Sequence, residues 1–162
     1  MTIEYREASE ADLPAICALG EEVNALHHKA WPHVFAGPGT AERDRDLWAQ
    51  SIGKKMATTF IAESEHRIIA FTTIAVHDET SSILQPARYA RVGSVSVTKR
   101  ERGKGIGPRL MALAEEWAIA RGARDLRLNV CLFNEHALHV YKELGFTQRS
   151  VNLGKQLENP DA

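Results

Sequence analysis

The sequence predicts an α/β fold, a mixed and mainly antiparallel sheet flanked by helices, and three observations predict it. Two β-branched, apolar runs, Thr58 to Glu63 and Arg67 to Val76, flank Ser64-Glu65-His66 and read as an antiparallel hairpin. A third run, Tyr89 to Thr98, passes through a glycine-rich segment into a stripe of Ile106, Leu110, Leu113 and Trp117, the spacing of an amphipathic helix. Asp125 to Cys131 then alternates Leu126, Leu128 and Val130 with polar residues, as a half-buried strand does.

Thr2 to Arg6 reads as a short first strand with Ile3 and Tyr5 on one face. Ser9 is placed to cap a helix: Asp12 follows it, and Leu13, Ile16, Cys17 and Leu19 recur at helical spacing. The stretch from Glu21 to Gly39 has no clear period. It holds His27, His28, Trp31, His33 and Phe35, and closes on the breaker Gly37-Pro38-Gly39. Thr40 is placed to cap a further helix reaching Ile52, and His77 to Arg88 is a polar loop. The helix after the glycine segment runs to about Arg121, where Gly122 stops it. A last helix spans Asn134 to Leu144 with Gly145 as its stop, and Phe146 begins a final strand. Nothing in the composition divides the chain, so residues 1–162 read as one domain, long enough to bury about two-thirds of its unfolded surface.

Twenty Lys and Arg balance 21 Asp and Glu, so the formal charge of −1 gives no general attraction to nucleic acid or to an anionic membrane. Any anion site must be local. Cys17 and Cys131 sit in apolar surroundings without metal or redox spacing, and read as buried free thiols. No apolar run approaches the ~18 residues of a membrane span. The acidic MTIEYREASEADLP start is not a signal peptide, so the expected location is the cytosol.

The local anion site is Arg102-Gly103-Lys104-Gly105-Ile106-Gly107, set directly between strand and helix. Glycines there let the backbone approach a ligand, and the helix start adds unpaired N–H groups and the positive end of its dipole. Arg102 and Lys104 add charge, so the ligand carries phosphate. A magnesium-holding P-loop needs Ser or Thr after Lys104, where Gly105 stands. A dinucleotide fingerprint needs a glycine where Pro108 stands, and it belongs near the first strand of a fold. A turn that merely links strand to helix needs one glycine, not three.

These residues resemble the Arg/Gln-x-x-Gly-x-Gly/Ala loop of GCN5-related N-acetyltransferases, matched by Arg102, Gly105 and Gly107, with Val95-Ser96-Val97 where that family's cofactor strand runs. The family's other half-motif resembles Asn134, Ala137 and Tyr141 on one helical face, followed by Gly145-Phe146. The specific likeness covers Val92 to Phe146; elsewhere only the layout is similar. The resemblance implies acetyl-CoA as co-substrate. Its pantetheine arm would pair with Val95, Ser96 and Val97, and its pyrophosphate would rest on Arg102, Gly103, Lys104, Gly105, Ile106 and Gly107. Asn134 would contact the arm, and the Tyr141 hydroxyl would reach the sulfur. Pro108 departs from the pattern, since it removes one N–H from the phosphate site.

The implied reaction is direct attack of a primary amine on the acetyl thioester. A backbone N–H near Val95 serves the oxyanion and Tyr141 is the acid for the departing thiolate. Many relatives carry a carboxylate on the cofactor strand as base; Arg91-Val-Gly-Ser-Val-Ser has none. His27, His28, His33, Glu21 and Glu22 are the candidates at hand, but each reads more readily as solvated surface than as the base. His136 and His139 lack a third ligand, so no metal is expected. The acceptor, a small molecule or a peptide, stays open, as does a homodimer. An acyl-CoA-binding or sensing module of the same fold, without catalysis, is the alternative.

Overall fold

A computed structural model describes residues 2–40 and 42–157, and the chain divides into two compact units, residues 1–129 and residues 130–162. In the first unit the elements run β1 (Glu4–Glu7), α1 (Leu13–Ala30), α2 (Arg45–Ala49), β2 (Ala57–Ser64), β3 (Arg67–Asp78), β4 (Arg88–Val97), α3 (Ile106–Ala120) and β5 (Leu126–Leu128). The five strands lie side by side in chain order. Every pairing is antiparallel except β4 with β5, which is parallel. A parallel pair needs a long crossover, and the chain that supplies it contains α3. The sheet is therefore mixed and mainly antiparallel, as expected.

The expected hairpin is present. Glu65 and His66 both take positive φ, 50° and 59°, the handedness that matches the strands' own twist. Along the sheet, alternate residues turn to opposite sides. On one side Ile61 and Phe71 pack with Leu13, Ile16, Cys17 and Leu19 of α1 and Trp48 of α2. The Trp48 and Phe71 rings meet edge to face at 5.3 Å. Gly20 lets that indole lie against α1, since a Cβ there would stand 2.7 Å from it. On the other side α3 buries Ile106, Leu110, Met111, Ala114 and Trp117, each large aliphatic contributing roughly 1.5–3 kcal/mol. No helix among the described residues is long and apolar enough to cross a membrane.

The Ser9 start holds through Asp12. The Asp12 carboxylate accepts from the Ser9 N–H at 2.8 Å and the Ser9 hydroxyl at 3.0 Å, and takes both Arg6 Nη groups at 2.8 and 2.9 Å. These bonds, that from Arg6 first, lower its pKa to about 2. We expect Asp12→Ala to cost about 1–2 kcal/mol, mostly from the lost bonds to Ser9, since Arg6 is 42% exposed and its charge is screened. Because the folded pKa lies below the unfolded one, this stabilisation is complete above pH ~4 and is lost as pH falls through about 2. Denaturant unfolding across that window should show a smaller acid loss in the variant.

Three expectations change. The helix placed from Thr40 to Ile52 shrinks to Arg45–Ala49. Residues 42–44 instead form a turn, with the Arg43 N–H bonded to the Thr40 carbonyl at 3.0 Å and its guanidinium donating to the Gly37 carbonyl at 2.7 Å and to Asp44. The strand expected over Asp125–Cys131 pairs only at Leu126–Leu128. The final strand at Phe146 is absent among the described residues. In the second unit, α4 (Glu135–Glu143) ends at Gly145, φ 90°, whose N–H donates to Lys142, while the Phe146 N–H donates to the Tyr141 carbonyl at 2.9 Å. That is a Schellman end, and the Tyr141 and Phe146 rings make its apolar contact at 5.7 Å. The Phe146 amide closes a helix rather than opening a ladder.

Candidate functional site

The site begins with a bulge in β4. Thr72 pairs with Val95 and Ile74 with Val92, so Gly93 and Ser94 together face the single residue Thr73. Threonine hydroxyls hold the extra residue. Thr73 Oγ1 accepts from the Ser94 N–H at 3.0 Å, and Thr72 Oγ1 donates to the Ser94 carbonyl at 3.1 Å. A side chain on Gly93 would meet Thr73 Oγ1 at 2.7 Å, so that position stays bare.

The bulge decides which amides face outward. Ala90 donates to the Asp125 carbonyl at 2.8 Å, on the side away from β3, and β5 pairs with β4 only from Ala90 to Val92. At the other end the Thr98 N–H bonds to the Ile69 carbonyl at 2.9 Å, which turns the N–H and C=O of Val97 and Val95 away from β3. Without the extra residue, Ser94 and Ser96 would hold those outward positions. Among the described residues no strand pairs with this edge beyond Val92. Arg102 Nε donates to the Val97 carbonyl at 2.9 Å, so Val95 is left presenting both backbone groups. The side chains split by face: Ser96 Oγ reaches the Leu19 carbonyl of α1 at 3.4 Å, whereas Val97 lies beside Gly107 of α3.

The glycine loop follows. Gly103 and Gly105 take φ of 76° and 79°, a backbone only glycine adopts cheaply, and a Cβ at either would meet nothing within 4 Å. The space above them is free for a ligand. Gly105 caps α3, so Ile106 and Gly107 keep N–H groups without a partner in the helix; Pro108 has none, and Arg109 already bonds Gly105. Two aligned donors at the positive end of α3 suit one phosphate group. Lys104 Nζ is paired with Glu101 at 2.8 Å. Arg102, tied to β4 through Nε, supplies the local cation.

Asn134 and Tyr141 belong to the second unit. The Asn134 side chain caps α4, its Oδ1 accepting from the Ala137 N–H at 3.1 Å. Burial pushes the Tyr141 phenol above its ordinary pKa, which keeps its proton on at neutral pH. Cys131 is half-buried rather than buried; Cys17 is buried.

The wall from α1 to α2 takes its shape from charges that sequence reading left undecided. Glu21 accepts from Arg43, Asn24 and the Gly39 N–H at 3.2, 3.2 and 3.1 Å, which makes it a strap for that loop rather than a base. His27 and His28 place Nδ1 at 2.8 Å from the Val23 and Phe35 carbonyls. A carbonyl only accepts, so each neutral ring carries its proton on Nδ1. His33 is exposed. Thr72, Thr73 and Gly93 went unmarked in the sequence, although a lone glycine inside a β-branched run is a bulge signal.

A family model described as the acetyltransferase (GNAT) family matches residues 21–146. The uncharacterized N-acetyltransferase MJ1207 of Methanocaldococcus jannaschii is 32% identical over 95 residues, 59% of this chain and 41% of that protein. This chain thus spans less than half the length of that relative. A mutant of the BH1408 protein from Bacillus halodurans shares the fold with a TM-score of 0.86 at 21% identity, over 98% of this chain and 100% of that one. The aminoglycoside N-acetyltransferase AAC(6')-Iy, solved in complex with CoA, does so with a TM-score of 0.73 at 16% identity, over 96% of each chain.

Proposed function

This chain belongs to the acetyltransferase (GNAT) family, and from that premise we propose that it transfers the acetyl group of acetyl-CoA to a primary amine, with residues 1–162 working as one domain. The observation that carries the reading is the outward backbone of Val95, in line with a glycine loop whose space and amides suit a pyrophosphate. Acetyl-CoA supplies an activated thioester. The chain's residues do the rest. Ile106 and Gly107 bind phosphate with their N–H groups and Arg102 with its charge. The Val95 N–H binds the thioester carbonyl, where negative charge develops as nitrogen attacks. Tyr141, with burial holding its proton on, protonates the leaving thiolate. A C–N bond forms, a C–S bond breaks, and the amine's surplus proton leaves by water, since β4 offers no carboxylate. The free thiols Cys17 and Cys131 suit the cytosol.

That missing carboxylate also favours a second reading, an acyl-CoA-binding module without turnover. Free-thiol release from acetyl-CoA across a panel of primary amines separates the two. Steady release together with an acetylated product supports transfer. CoA binding with no release from any amine supports the module.

A further inference from the structure

The acetyltransferase reading orders β4 from end to end. The phosphate loop follows Val97, Val95 lies before it, and Gly93 and Arg91 lie farther from the loop, where an acceptor must approach. Strand rise puts Arg91 roughly 10–13 Å from Val95. Arg91 pairs across the strands with Ala75 and Arg127, and shares a sheet face with Tyr89, two residues back. The Arg127 guanidinium lies over the Tyr89 ring at 3.8 Å, with that of Arg91 5.9 Å from the same ring. Gly93, next along, is exposed.

Two arginines opposite each other repel unless each has a counter-ion. Arg127 has Asp125 at 2.7 Å and Glu79 at 3.0 Å, and Arg88 has Asp78 at 2.8 Å. Arg91 is half-buried and makes no ion pair with any described residue. A half-buried guanidinium beside its own kind, with the Tyr89 ring near it but no carboxylate of a described residue paired to it, carries a cost that a bound anion would offset. The planar fork matches a carboxylate with two parallel bonds.

Resting on the acetyltransferase reading, we propose that the acceptor is an amine bearing a carboxylate several bonds from the reacting nitrogen, and that Arg91 reads this carboxylate. Aminohexanoate and its neutral amide, each with a terminal amine, are the probes, titrated calorimetrically into CoA-saturated protein. The acid should bind about tenfold more tightly than the amide, the scale of one charge-assisted pair. Arg91→Gln should erase that preference and leave CoA affinity within about twofold, while Arg91→Lys keeps part of it. Equal affinities in the wild type, a preference that survives in Arg91→Gln, or no binding of either probe at millimolar concentration would each overturn the proposal. Those outcomes are separate from failure of the acetyltransferase reading, which shows as no thiol release from any amine.

Discussion

Tyr141→Phe should lower acetyl transfer by roughly 10²–10⁴ while leaving CoA affinity within a few-fold, the loss typical of removing one positioned general acid. The phenylalanine ring keeps the apolar contact with Phe146 that closes α4, so the helix end has no reason to change. Burial raises the phenol's pKa above its ordinary value near ~10. The wild-type rate should therefore hold through neutral pH and fall only in strong alkali, as the proton is lost. That alkaline limb should vanish in the variant. If Tyr141 serves only to close α4, the result is different: turnover near wild type with a saturating amine, and stability nearly unchanged, since the ring contact is kept.

Gly105→Val should weaken CoA binding at least tenfold, about 1.4 kcal/mol, and by more if the loop refolds. Two effects act together. Valine resists the left-handed backbone at φ 79°, and its branched side chain enters the space above the loop, where no described residue comes within 4 Å of an added Cβ. Gly122→Val separates strain from occlusion, because Gly122 has a similar φ of 82° at the far end of α3. It should lose comparable thermal stability and keep CoA affinity. A folded Gly105→Val protein with unchanged affinity by calorimetry would remove the loop from the site.

The sheet was legible because β-branched runs separated by turns admit few pairings, and α3 because its stripe keeps one period from Ile106 to Trp117. The loop was legible because three glycines between strand and helix have few structural uses. The outward turn of the Val95 backbone has a cause that the residue pattern alone hides. Alternation along Val92 to Val97 suggests an unbroken strand, and only pairing with Thr72–Ile74 shows the parity change at Gly93. Phe146 was misread for a related reason. An aromatic after Gly145 fits a strand start as well as a helix end, and the Tyr141 carbonyl decides between them. Sequence spacing also does not show that Glu101 holds the Lys104 ammonium. Arg91 went unread, since an arginine in a strand reveals nothing until its neighbours' ion pairs are known.

Residue-resolved amide hydrogen exchange, with and without acetyl-CoA, tests most directly whether the outward edge of β4 and the start of α3 hold the cofactor. In the free protein the N–H groups of Val95, Ile106 and Gly107 have no partner in strand or helix and should exchange quickly. Saturating acetyl-CoA should slow all three, and should leave amides already bonded within β2 and β3 unchanged. Binding of acetyl-CoA with no added protection at Val95, Ile106 or Gly107 would contradict the site at its centre.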